Sequence, residues 1–350
     1  MPRLGDDGTM PPYPAAAPED PQSANRADAA AWALDTALRA ALLDAVRAAA
    51  TAARPLVGGG DGDAVDAAAV DALRVALAGV PADIRVVSGE GEKDDAPMLS
   101  PGERFGTGAG PVLDLVVDPV DGTRLAASGR AGAMAILAVA PRGSFADPGP
   151  AFYLDKLVHA RPRGGADAGL GLDLSVGENL ERLAAAHGRS VSSLRVAVQA
   201  RPRNAAVADA VHAAGATLHA FEHGDIERVA HAAAAEGDLD LLLGIGGAPE
   251  GLLEAALVRA HGGVMLARFA PQSAAETARI DAFTAALEPA AVERGFVAAD
   301  GLALDGLCAA SALVVIAPVT ACGLAPARAS LVLVDDTSPG GLVTAALPVG

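Results

Sequence analysis

Between Leu194 and Ala260 the chain alternates short apolar runs with Ala-rich segments, and this alternation limits the fold more than any other feature. Arg195 to Ala200, Thr217 to Phe221 and Leu239 to Leu243 read as strands. Ala205 to Ala214, Asp225 to Glu236 and Pro249 to Ala260 read as the helices between them. Strands separated by single helices at this spacing predict a largely parallel, helix-covered sheet, so the class is α/β.

The first half supplies a second unit. Ala29 to Ala53 carries charges at Asp35, Arg39, Asp44 and Arg47, which leave an apolar stripe and predict a helix. The Gly-Asp run from Gly58 to Asp63 interrupts it, and Asp63 or Asp66 begins a second helix reaching about Leu77. Asp83 to Ser88, Leu113 to Asp118 and Gly132 to Ala140 predict strands, and Glu178 to Gly188 a helix with a glycine stop. The expected division is an N-terminal extension over residues 1–27, an α/β domain over 28–190 and a second over 191–350. A helix over Ala274 to Leu287 and strands around Val314 and Val332 complete the prediction.

At 350 residues with 51% apolar content the chain can bury a large core, but aromatics are 3%, so Ala, Val and Leu must build it. A formal charge of −17 argues against a nucleic-acid or anionic-membrane surface. Cys308 and Cys322 are too few for a disulfide framework, which fits a cytoplasmic protein. Met1 to Asp20 lacks the apolar core of a signal peptide. Leu307 to Pro326 is uncharged over twenty residues, yet Pro318, Gly323 and a short apolar centre predict a buried strand and loop rather than a membrane span.

Two acidic clusters follow predicted strands. Asp118-Pro119-Val120-Asp121-Gly122-Thr123 places two carboxylates and a hydroxyl on one turn, an arrangement that either brackets a hard cation or is an ordinary Asp-rich turn. Gly89-Glu90-Gly91-Glu92-Lys93-Asp94-Asp95 is either a solvated loop or, if strand alternation continues, a row with Glu90, Glu92 and Asp94 on one side. Carboxylates from neighbouring strand ends would form an anionic pocket that divalent cations relieve. Gly244-Ile245-Gly246-Gly247-Ala248-Pro249-Glu250-Gly251 looks like a phosphate-cradling loop, with Glu250 on the first helical turn as cap or ligand. Arg201-Pro202-Arg203, Arg124 and Tyr153 with Lys156 are the phosphate-binding candidates, each otherwise a surface group.

These motifs, in order, resemble the class II fructose-1,6-bisphosphatases, the GlpX-like branch of the metal-dependent, lithium-sensitive sugar phosphatases. The likeness runs from about Ala48 to Arg268. It includes the eleven residues from Gly89 to Leu99, Gly106-Thr107-Gly108, the Asp118 turn, Tyr153-Leu154-Asp155-Lys156-Leu157, Arg201-Pro202-Arg203 and Gly244 to Gly251. The resemblance implies a layered α-β-α-β-α fold of two α/β domains with the active site between them. It implies Mg²⁺ or Mn²⁺, two ions or more, on Asp66, Glu90, Asp118, Asp121 and Glu250. It implies Asp94 and Glu92 at the attacking water and Thr123 beside the scissile phosphate. Tyr153, Arg203 and Asp225 match sugar-phosphate contacts, with Asp121, Gly122, Thr123 and Gly247 completing that subsite. Arg201-Pro202 and His223-Gly224 occupy the same loops but depart from the family, which has Lys at 201 and Asp at 223. Gly62 likewise stands where the family has lysine.

The activity implied is hydrolysis of the 1-phosphate of fructose 1,6-bisphosphate, in a dimer or tetramer. The alternatives are another substrate, such as sedoheptulose bisphosphate or an inositol phosphate, or a protein that binds a sugar phosphate without turnover.

Overall fold

The computed structural model describes residues 36–89, 99–162, 168–287, 295–324, 330–335 and 342–346, with only the backbone described in the last two segments. The first half runs α1 (Thr36–Ala53), α2 (Gly62–Leu77), β1 (Asp83–Ser88), β2 (Arg104–Phe105), β3 (Val112–Asp121), α3 (Thr123–Ala127), β4 (Met134–Pro141), β5 (Tyr153–His159) and α4 (Val176–His187). There follow β6 (Arg195–Gln199), α5 (Ala205–Ala213), β7 (Thr217–Phe221), α6 (Asp225–Ala233), β8 (Leu241–Gly247), α7 (Ala248–His261) and β9 (Val264–Phe269). The last elements are α8 (Ala274–Ala285), β10 (Leu302–Ala303), α9 (Leu304–Leu307), β11 (Leu313–Pro318), β12 (Ser330–Asp335) and β13 (Leu342–Ala346).

Two sheets result, one in the order β13-β12-β11-β4-β3-β1-β2 and the other β10-β9-β5-β8-β6-β7. Helices α1 and α2 bury stripes at helical spacing, Leu38, Leu42, Ala45 and Ala49 on one and Val65, Ala69, Leu73 and Leu77 on the other. Both pack on one face of the first sheet. Helices α4 and α5 cover the outer face of the second sheet through Leu180, Leu183 and Val211. Between the sheets lie α6 and α7. Ten residues of α7 are buried, from Ala248 to Ala260, and a helix apolar nearly all round belongs in such an inner layer. The order α-β-α-β-α expected from the resemblance is the order observed.

Several expectations are corrected. The second sheet is mixed rather than largely parallel. β6 is parallel to β7 and to β8, but β5 enters antiparallel to both β8 and β9. The crossover through α7 keeps β8 and β9 aligned, and β5 slots between them; local periodicity within 195–260 carries no trace of that strand. Sheet membership also does not divide at residue 190. β5 lies in the second sheet, while β11 returns to pair with β4 of the first, burying the uncharged Leu313–Pro318 run as a central strand. Among the described residues no helix is long and apolar enough to cross a membrane. Helix α2 starts earlier than predicted, because Asp61, extended at φ −108°, accepts the Ala64 N–H at 3.0 Å as its cap. Asp66 therefore lies a turn further in, on the buried face.

Candidate active site

The end of β3 is shaped by its own side chains. Asp118 Oδ1 accepts the Val120 N–H at 2.9 Å, and pairing with β4 loses register between Asp118 and Asp121. Gly122 then takes the left-handed conformation at φ +80°, and Thr123 opens α3 with its hydroxyl donating to Val120 O at 2.8 Å. Gly62, where the family has lysine, abuts this turn: a Cβ there would stand 3.3 Å from the Thr123 methyl.

Asp121 is 5% exposed, and among the described residues its Oδ2 has no hydrogen-bond partner. Burial pushes its carboxyl well above the usual carboxylate range, and Asp225, Glu250 and Glu254 push further, with Lys156 opposing. Asp225 opens α6, Glu250 lies in the first turn of α7, and Glu254 follows one turn later. A Cβ at Gly224 would sit 3.4 Å from Asp121 Oδ2, so the start of α6 meets the end of β3 directly. The pocket thus joins the first sheet, the inner helices and, through Lys156 on β5, the second sheet.

Among the described residues Asp121, Asp225, Glu250 and Glu254 lie around Lys156, and the atoms they could offer a cation are oxygens. An excess of oxygen anions around a buried, unpartnered Asp121 Oδ2 fits a hard divalent cation such as Mg²⁺ or Mn²⁺. Among the described residues, no group of three or more His, Cys, Asp or Glu is disposed to hold a single ion. Glu90, one expected ligand, lies outside the described residues, as do Glu92 and Asp94.

The glycine run has a different role from the phosphate cradle expected. A Cβ at Gly246 would stand 2.5 Å from Lys156 Nζ and 2.6 Å from Asp225 Oδ2, and one at Gly247 would meet Glu250 Oε2 at 1.8 Å. Those glycines make room for the protein's own charged side chains. Lys156 is likewise no surface cation: it is 1% exposed and donates to Asp225 Oδ2 at 3.0 Å and Glu254 Oε1 at 2.5 Å.

On the far side of Asp225, Gln199 Nε2 donates to Asp225 Oδ1 at 2.9 Å, and Gln199 Oε1 accepts from Arg203 Nη2 at 2.8 Å. The Arg203 guanidinium lies 4.6 Å over the Tyr153 ring and donates through Nε to Ile245 O. Pro202 opens the short 3₁₀ turn that carries Arg203, and Asn204 clamps that turn to β8 through Ile245 N at 2.7 Å. Arg201 Nη2 lies 2.8 Å from His223 Nδ1. A guanidinium can only donate, so Nδ1 accepts and the imidazole proton sits on Nε2. Burial holds the His223 pKa below its ordinary value, aided by Arg201, Arg124 and Arg130.

The structure therefore brings together Asp121, Gly224, Asp225, Gly247 and Glu250, pairs Tyr153 with Arg203, and pairs Arg201 with His223. Gln199, Asn204 and Glu254 were not singled out from the sequence. Glu254 left a signal, a second carboxylate four residues after Glu250 in an otherwise apolar segment, which places both on one helix face.

Two mixed sheets around an inner helical layer, with a carboxylate cluster at strand and helix ends, define a layered α-β-α-β-α fold. Residues 36–311 match the family model described as bacterial fructose-1,6-bisphosphatase, glpX-encoded. The chain belongs to this family. Among curated relatives, a fructose-1,6-bisphosphatase class 2 of Haemophilus influenzae is 42% identical over 226 residues, covering 65% of this chain and 67% of that protein. Fructose-1,6-bisphosphatase 1 class 2 of Escherichia coli K12 is 41% identical over 220 residues, covering 63% and 64%. The alignments thus span about two thirds of those relatives' length. A solved extragenic suppressor from Pyrococcus furiosus overlaps 58% of this chain and 72% of its own at 14% identity and a TM-score of 0.31, too slight a likeness to carry any argument.

Proposed function

We propose that the protein is a metal-dependent phosphomonoesterase that hydrolyses the 1-phosphate of fructose 1,6-bisphosphate, giving fructose 6-phosphate and phosphate. The observation that carries this reading is the family match over residues 36–311, which spans every element that builds the pocket. In this reading Asp66, Asp118, Asp121 and Glu250, with Glu90, hold two or more Mg²⁺ or Mn²⁺ ions. Bound there, the ions would polarise the phosphoryl group and lower the pKa of the attacking water.

The remaining chemistry belongs to the chain's own side chains. Asp94 and Glu92 orient or deprotonate that water, and Thr123 turns its hydroxyl from Val120 O toward the phosphate. Arg203, over the Tyr153 ring, offers a planar guanidinium fork able to donate in parallel to a phosphate. His223, held by Arg201 through Nδ1, has a donor at Nε2 where an aspartate would have an acceptor. That difference, with Gly62 in place of lysine, favours a second reading in which the enzyme prefers another sugar phosphate, such as sedoheptulose bisphosphate or an inositol phosphate. Assembly as a dimer or tetramer and a cytoplasmic setting belong to the same proposal; sedimentation reads the first and fractionation the second.

The test is phosphate release from a panel of sugar phosphates with Mg²⁺ and with Mn²⁺. Fastest turnover of fructose 1,6-bisphosphate supports the first reading and fastest turnover of another member the second. Binding without turnover of any member supports a non-catalytic protein.

A further inference from the structure

Gln199, the last residue of β6, makes two side-chain hydrogen bonds of opposite sense, donating to Asp225 and accepting from Arg203. A carboxylate only accepts and a guanidinium only donates, so both partners fix the amide in one orientation and forbid its flip. The connection continues in both directions. Asp225 is held by Lys156, which is anchored on Glu254 in the inner helix α7. Arg203 is held by Ile245 O and lies over Tyr153. Among the described residues a continuous polar path therefore leads from the carboxylate cluster to the Arg203–Tyr153 platform, with Gln199 as the neutral link between Asp225 and Arg203.

We propose that Gln199 is a positioning residue that fixes the Arg203 guanidinium over Tyr153 to receive a phosphate of the substrate. This rests on the phosphatase reading above. A carboxylate at 199 would repel Asp225 and an amine would repel Arg203; the neutral amide, with a donor and an acceptor, satisfies the anion on one side and the cation on the other. Without Gln199, Arg203 keeps its charge, its ring contact and its bond to Ile245 O but loses the second acceptor, on Nη2, that sets the rotation of its fork. A fork turned out of plane gives up one of two parallel bonds to a phosphate.

The experiment is steady-state kinetics on fructose 1,6-bisphosphate with Mn²⁺ for wild type, Gln199→Leu, the near-isosteric Gln199→Met, Arg203→Met and the double variant Gln199→Leu/Arg203→Met. In both single Gln199 variants KM is expected to rise about tenfold while kcat stays within about twofold. Arg203→Met is expected to raise KM further, and adding Gln199→Leu to it to change nothing, because the effect of Gln199 passes through Arg203. A fall in kcat at unchanged KM, or losses that add in the double variant, would overturn the proposal. An inactive wild type would defeat the phosphatase reading instead. The same proteins titrated with fructose 6-phosphate by calorimetry would then read the role of Gln199, and equal affinities in wild type and Gln199→Leu would count against it.

Discussion

The Lys156 cation lies among Asp121, Asp225, Glu250 and Glu254, and its two hydrogen bonds join strand β5 to both inner helices. Lys156→Met removes that charge while leaving Asp225 and Glu254 buried, so unfolding free energy in urea is expected to drop by about 3–5 kcal/mol. Glu254 is 0% exposed, and burial, which outweighs the attraction of Lys156, pushes its carboxyl up to about 7, with Asp225 and Glu250 adding to the rise. A carboxyl whose pKa is higher folded than unfolded gives stability that is full below the unfolded value of 4.5 and lost as pH rises through about 7. In EDTA, wild-type stability should therefore fall between pH 5 and 8 more steeply than that of Glu254→Gln, as equilibrium denaturation would show; parallel curves would contradict this. The Asp118 to Thr123 turn was legible in the sequence, because the bonds from Val120 N–H to Asp118 and from Thr123 to Val120 O span two and three residues. Lys156 was misread as a surface cation because its partners lie 69 and 98 residues away, and nothing near Lys156 marks them.

Elements differ in how fully they declare themselves. Helix α4 is announced by Ser175 and Glu178, whose reciprocal capping bonds both form, and it ends at Gly188 in the left-handed conformation at φ +62°. Ser175→Ala should lower stability by about 1 kcal/mol and leave kinetics unchanged, since α4 lies on the outer face of the second sheet. The junction between β8 and α7 is the opposite case. Its glycines read as a ligand loop, yet Gly246 is small because Lys156 Nζ and Asp225 Oδ2 occupy the space a Cβ would take. Gly246→Ala should separate that pair and reduce both stability and phosphate release; an active, stable variant would show that the pair tolerates displacement. Strand β5 escaped prediction because Asp155 and Lys156 interrupt its apolar run, although Lys156 points into the core.

At the scale of the molecule, alternation within 195–260 gave the direction of β6, β7 and β8, because each crossover between them is short and helical. The insertion of β5 and the return of β11 to β4 depend on contacts distant in sequence, which no local period encodes. The five layers bring carboxylates from β3, α6 and α7 within electrostatic reach of one another, and that accumulation of anions is the physical reason to expect a divalent cation. The most direct test compares Mn²⁺-dependent phosphate release from fructose 1,6-bisphosphate by wild type and by Asp121→Asn, whose side chain keeps the shape but loses the anion. Turnover by the wild type, with at least about a 100-fold loss in the variant, is the predicted result. Equal turnover by the two proteins would contradict the account.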